Sequence, residues 1–261
     1  MPTPDRLDRS GLRLVLDDRF DGTLPEHWLP YHLPQWSSRA QAAARYHLDA
    51  GLTLRIDHDQ QPWCPEVDGT TRVSSFQTGV FAGPLGSTTG QHRFSEDARV
   101  REGQATFRGF TPTFGLVEMR AAACPDPDAM VALWMIGFED EPSRSAEICV
   151  AEIFGRGVRR ETVDVGMGVH PFGDPDIVDD FSVETVAVDA RDMHDYAALW
   201  TPEGVAFYVD DALVRRVDQS PGYPMQLMLG IYDFADPGAA SPSSYPKTFA
   251  VQWVRAWSPA P

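Results

Sequence analysis

The stretch from Ser145 to Gly155 limits the folds open to this chain more than any other. Ser145-Ala146-Glu147-Ile148-Cys149-Val150-Ala151-Glu152-Ile153-Phe154-Gly155 is apolar enough for a strand buried in a sheet, yet two glutamates stand where isoleucine or valine belongs. Burying an unpaired carboxylate costs several kcal/mol, so such a strand must hold both acids where something compensates them. Strand side chains alternate between faces, which groups Glu147 with Cys149 and Ala151 and sends Glu152 to the opposite face. Both acids reach one cleft only if an extra residue slips the register between them, the effect of a β-bulge. The stretch therefore reads as a bulged strand carrying a carboxylate pair.

The rest of the chain is written in short, turn-punctuated units. Residues 12–22 alternate and end in a turn, and 45–56 read as two strands about Asp49-Ala50-Gly51. Further strands are expected at 104–110, 113–121 and 132–137, with Pro125-Asp126-Pro127-Asp128 as a turn. After the acidic strand come 162–170, 181–188, 196–200, 205–209, 213–217, 225–232 and 248–257, with Asp210-Asp211 as a tight hairpin turn. Residues 1–9 read as a flexible lead-in, 25–44 as a long proline- and aromatic-rich loop, and 57–104 as turn-rich chain with no assigned strand. Ala40 to Arg45 has helix propensity, but the run is too short to stand without tertiary help. Many short strands with no sustained helical period indicate an all-β antiparallel sandwich, organised as one domain over 1–261.

The formal net charge of −16 argues against nucleic acid, anionic membranes and sulfated polymers, and makes a neutral partner the easier fit. No apolar run is long enough to span a bilayer, and the first residues lack the apolar core of a secretory signal. A cytoplasmic location is the expectation, or a secreted one if the N-terminus has been trimmed. Cys64, Cys124 and Cys149 show no paired or metal-type spacing, so reduced thiols are expected over a Cys64–Cys124 bridge. A monomer is expected, with no cofactor.

Glu147 to Gly155 resembles the bulged active-site strand of glycoside hydrolase family 16, whose pattern is Glu-x-Asp-x-x-Glu, with Cys149 in the place of the aspartate. Upstream, Ala132-Leu133-Trp134-Met135-Ile136-Gly137 is similar to the family's Phe-Trp-Leu-Leu-Gly strand, and Thr113 to Ala121 to its Tyr-Gly-Arg-Val-Glu-Ala-Arg-Ala strand. Downstream, Gly168-Val169-His170 and the run from Leu199 to Asp210 resemble its Thr-Val-His strand and its Trp-Thr-Pro hairpin. The resemblance implies a concanavalin A-like β-jelly roll with a substrate cleft on its concave face. It also implies endo-type, retaining hydrolysis of a neutral β-linked polysaccharide: a β-1,3- or β-1,3/1,4-glucan, or a galactan.

Retaining hydrolysis needs one ionised and one protonated carboxyl roughly 5–5.5 Å apart. Composition supports a pair without assigning the roles; the resemblance makes Glu147 the nucleophile, Glu152 the general acid and then base, and Cys149 the occupant of the assisting position. Trp134, His170, Arg108, Trp200 and Trp36 are the substrate-binding candidates, each weighed against a packing role, and Trp36, Trp63 and His32 lie on loops that are candidates to wall the cleft. A thiol is a weaker donor than a carboxyl, so the site is read either as working with different tuning or as decayed around a small buried Cys149. A non-catalytic, lectin-like binding module on the same fold is the alternative from another class, and an intracellular structural or interaction protein is a third. Asp174, Asp176, Asp179 and Asp180 raise the option of a structural calcium, against solvated loop charge.

Overall fold

Turn residues break the chain into short β-forming runs, and these pair antiparallel into two large sheets in the computed structural model, which describes residues 5–236, 238 and 243–260. One sheet has eight strands. In spatial order they are Ala212–Val217, Gly204–Val209, His194–Thr201, Gly115–Ala122, Lys247–Pro259, Gly51–Ile56 and Arg45–Asp49, with Leu12–Asp18 also paired to Lys247–Pro259. The other sheet has six: Asp180–Val186, Val163–His170, Glu147–Phe154, Ala129–Gly137, Met225–Asp233 and Arg72–Gln77. A two-stranded ribbon pairs Gly79–Val80 with Phe107–Arg108.

Alternation along each strand divides the six-stranded sheet between two apolar clusters. Val131, Leu133 and Met135 join Leu227, Leu229 and Ile231 in a cluster with Val117, Met119, Phe207 and Phe249 of the eight-stranded sheet. Met130, Ala132, Trp134 and Ile136 point the other way, into a second cluster with Leu33, Trp36 and Trp63 from the loops. Ala129–Gly137 is thus buried on both faces, which explains its unbroken apolar sequence. Each buried Leu, Ile, Met or Phe contributes about 1.5–3 kcal/mol of hydrophobic stabilisation before entropy is counted against it. Asp210 and Asp211, both with positive φ, make the expected tight turn. Lys247 is buried between Asp233, at 2.6 Å, and Asp126, at 2.9 Å.

Two expectations change. Residues 5–9 do not form a free lead-in: Leu7 N donates to Asp211 O at 2.8 Å, and Arg9 pairs with Asp211 and the buried Glu118, while residues 1–4 lie outside the described residues. The turn-rich region 57–104 hides a strand, Arg72–Gln77, at the edge of the six-stranded sheet. Its polar sequence masks it: Ser74, Ser75 and Gln77 are fully buried, Ser74 Oγ donates to Arg55 O and accepts from Arg45 N of the opposite sheet, and Gln77 Oε1 accepts from Leu33 N of the covering loop. No helix forms at 40–45, where Ala42 N closes a turn onto Ser38 O and Arg45 opens a strand. All three cysteines are free thiols. No helix among the described residues is long and apolar enough to cross a membrane.

Candidate active site

The bulge lies in the acidic strand, Glu147–Phe154. Against Ala129–Gly137, Ile136 pairs with Glu147 and Trp134 with Cys149, but Leu133 pairs with Ala151 and Ala132 with Glu152. Val150 is the extra residue. It and Ala151 both turn into the core between the sheets, so Glu147, Cys149 and Glu152 share the outer face. The neighbouring strand slips at the same point, pairing Gly168 with Cys149 and Gly166 with Glu152. Gly168 has φ +148°, and a Cβ there would meet Asp180 O at 2.2 Å; at Gly166 one would meet the Phe181 ring at 2.5 Å. Glycine at both positions lets the next strand close in beside the acids.

Cys149 holds the pair together. Its Sγ lies 2.9 Å from Glu147 Oε1 and 3.8 Å from Glu152 Oε1, and donor atoms of all three side chains fall within 4.8 Å of one another. Burial, reinforced by the charge of Glu152, pushes the Glu147 carboxyl up to about 8, against the pull of the Cys149 hydrogen bond. Burial raises Glu152 as well, offset by His170 and Cys149. The Cys149 thiol rises well above its ordinary range, through burial and the two carboxylates, and so stays a neutral donor. Two acids of raised pKa side by side share protons rather than both ionising at neutral pH.

These three form the one compact group of potential metal ligands among the described residues. The Asp174 region is committed elsewhere: Asp174 accepts from Tyr223, Asp179 lies against His170, and Asp180 pairs with Arg215.

Over the acids opens a cavity of about 330 Å³. Trp134 forms part of its floor, with Nε1 donating to Tyr232 Oη at 3.0 Å. His170 sits at its edge, opposite Glu147 in register, stacked on Phe181 at 4.8 Å and held by Asp179 at 2.7 Å. His32 and Trp63 line its far side, ring centroids 4.5 Å apart.

Arg108, Trp200 and Trp36 are not brought to this cavity. Arg108 lies on the two-stranded ribbon, over the Phe138 ring and paired with Asp140 at 2.5 Å. Trp200 belongs to the eight-stranded sheet, buried in the core with Nε1 donating to Pro221 O at 2.9 Å. Trp36 has no exposed surface and donates to Gln91 O at 2.8 Å, so it packs behind the cavity wall.

Sequence reasoning missed His92, Phe172, Tyr232, Phe234 and Asp68, all of which line the cavity. His92 Nδ1 is 3.8 Å from Glu147 Oε2 without a hydrogen-bond partner, and burial, with the charge of His170, pushes its imidazole down to about 4, so it faces the acid uncharged. His92, Phe172 and Glu139 all adopt positive φ, a cluster of strained backbone at one end of the site. An aromatic residue in a long loop was the available signal for Phe172; nothing local marked His92.

Residues 50–255 match the model of the family described as Glycosyl hydrolases family 16. The chain is 32% identical over 177 residues to an endo-1,3-1,4-beta-glycanase of Rhizobium meliloti, covering 65% of this chain and 36% of that protein. A second endo-1,3-1,4-beta-glycanase of the same organism is 28% identical over 52% of this chain and 28% of its own length. The chain thus spans about a third of the curated relatives it matches. Among solved structures, it resembles a GlcNAcα1-4Gal-releasing endo-β-galactosidase from Clostridium perfringens, with TM-score 0.82, 29% identity, and coverage of 99% of this chain and 64% of that one. The catalytic domain of a Thermotoga petrophila laminarinase shares the jelly-roll fold, at TM-score 0.65 and 16% identity, over 96% of this chain and 99% of its own. The matched residues include the strand that carries the acid pair and its bulge, and the chain belongs to glycosyl hydrolase family 16.

Proposed function

We propose that this chain hydrolyses a neutral β-linked glucan or galactan by double displacement, with Glu147 as nucleophile and Glu152 as general acid and then base. The observation that carries the reading is the shared outer face of the two acids, their oxygens within 4.8 Å and linked through Cys149, a separation suited to the retaining mechanism. Glu147 is oriented by a thiol donor whose hydrogen bond favours its ionised form, as suits a nucleophile; Glu152 is half-buried and also borders a second groove, where a leaving group and water have access.

In the first step a Glu147 oxygen attacks the anomeric carbon while Glu152 gives its proton to the glycosidic oxygen; the carbon–oxygen bond breaks and a glycosyl ester remains. In the second, Glu152 removes a proton from water, the water oxygen attacks the same carbon, and Glu147 leaves as carboxylate with the β configuration restored. The pair's proton must sit on Glu152 at the first step. Positive charge developing at the anomeric carbon favours the ionised form of Glu147, and a sugar covering Glu152 favours its neutral form. The named activities of the relatives, on β-1,3-1,4-linked glycans and on a galactoside, support the substrate class, and the net charge of −16 supports a neutral chain.

The test is reducing-end release from a panel of β-glucans and β-galactans, with the first-formed anomer read by proton NMR. Glu147→Gln and Glu152→Gln are each expected to lower kcat by at least about 10²-fold, and the β-anomer should appear first. Equal rates in the native protein and Glu147→Gln would end the hydrolase reading, and binding without turnover would leave a lectin-like module.

A further inference from the structure

The outer face of the six-stranded sheet is covered at one end and bare at the other. On Arg72–Gln77 the outward residues Val73, Ser75 and Gln77 are buried, and on Met225–Asp233 so are Gln226, Met228 and Tyr232. At the opposite edge Phe181 is half-buried, Val183 is 61% exposed and Thr185 is exposed. Val183 pairs with Gly166, and Phe181 with Gly168, so these residues share the acids' face.

The cover is built, not incidental. Leu33 N donates to Gln77 Oε1 at 2.8 Å and Gln60 Nε2 to Val73 O at 2.8 Å, which fastens two loops onto the edge strand. Above Tyr232 stands His32, ring centroids 5.5 Å apart, edge-on to Trp63 at 4.5 Å. His32 is 4% exposed, and its Nδ1 is buried without a hydrogen-bond partner. A buried nitrogen left without a partner is costly to a fold, and this one is retained over the cleft.

A chain crossing the strands therefore meets a wall on one side of the acids and open surface on the other. Glu147 lines the walled cavity, whereas Glu152 lines both that cavity and a groove bordered by Phe154, Gly166, Phe181 and Val183. The ring attacked by Glu147 must then lie in the walled cavity and the leaving group in the groove. Cavities that bury small ligands run from about 300 to 1,000 Å³, and this one, at about 330 Å³, is at the small end.

We infer that the glycone side of the cleft is blind: His32 and Trp63 form an end wall that receives the non-reducing terminus of the glycan, and the enzyme releases a mono- or disaccharide from that end. This rests on the roles proposed for Glu147 and Glu152, and it replaces the random internal cutting that an endo-type reading implies.

The experiment uses laminari-oligosaccharides, mixed-linkage β-1,3-1,4-gluco-oligosaccharides and β-galacto-oligosaccharides labelled at the reducing end, digested by the full chain and resolved by length at the earliest time points. The first labelled product is expected to be a mono- or disaccharide shorter than its parent, whichever parent length is used. A spread of labelled fragments of every length from the start overturns the inference while leaving the hydrolase reading standing. Absence of cleavage in the whole panel removes both. His32→Ala and Trp63→Leu, which lower the wall from different loops, are expected to shift the first cut inward by a sugar; if both soluble variants keep the native pattern, the wall does not set the cut.

Discussion

Cys149 touches both acids from the middle of the bulged strand, in the place where an aspartate was expected from the family pattern. With the thiol proton retained, it adds a neutral donor where an aspartate would add a third negative charge to a buried cluster. Its bond to Glu147 favours the ionised nucleophile. Removing it in Cys149→Ala is expected to raise the pKa of Glu147 and move the acidic limb of the kcat/KM profile to higher pH. Losing a hydrogen bond to a charged group, worth about 1.5–3 kcal/mol, also slows turnover by about 10–100-fold. Cys149→Ser, a stronger donor, is expected to move the limb the opposite way; pH–rate profiles of the three proteins give the answer, and coincident limbs would remove Cys149 from the machinery. The acid pair was legible because burial makes two glutamates in an apolar run conspicuous. His92 was not, since its approach to Glu147 depends on a loop seated far away in sequence.

At the scale of the element, the bulge makes Val150 and Ala151 consecutive core residues, where a regular strand would turn one of them to the cleft. Val150→Thr, nearly isosteric, is therefore expected to bury an unsatisfied hydroxyl and cost about 1–3 kcal/mol. Chemical denaturation measures this, and an unchanged midpoint would place Val150 on the cleft side. The need for a bulge was readable from the spacing of the acids alone. The complementary slip in Val163–His170 was not, because it takes two glycines, Gly166 and Gly168, whose partners become known only when the strands are paired. The edge strand Arg72–Gln77 stayed hidden for a related reason: Ser74 and Gln77 are satisfied by distant backbone, and polar residues do not show an apolar period.

For the whole molecule, the buried acids set a pH dependence of stability. Glu147 and Glu139 are each pushed by burial from an ordinary value of 4.5 to about 8, with the His92 backbone N–H pulling Glu139 the other way. Between these values the folded chain holds protons that the unfolded chain has released, which lowers stability as pH rises. His32 and His92, pushed by burial from 6.5 to about 3 and about 4, act the opposite way below 6.5, so the net decline falls between about 6.5 and 8. The slope is at most about 1.4 kcal/mol per pH unit for each group. Calorimetric scans from acidic to alkaline buffer are expected to show Tm declining through neutrality, and Glu147→Gln to flatten part of the decline; a Tm that climbs across that interval would contradict the burial of these acids as neutral groups. The same burial that destabilises the fold at neutral pH prepares the carboxyls for proton transfer.

Periodicity, turn residues and the cost of buried charge are local properties, and from them the sequence alone determined an antiparallel sandwich with a carboxylate pair on a bulged strand. Tertiary structure decided the rest. Trp200 and Trp134 sit in equally apolar strands, yet one lies in the sheet behind the core and the other beneath the cavity, a difference that strand pairing alone creates. Arg108 was carried off on a ribbon stacked against Phe138, and His32 and Trp63 were brought over the far end of the cleft by loops whose paths follow no period. Long-range contacts between such loops depend on the assembled surface, so the wall of the cleft took shape only when the sheets were in place.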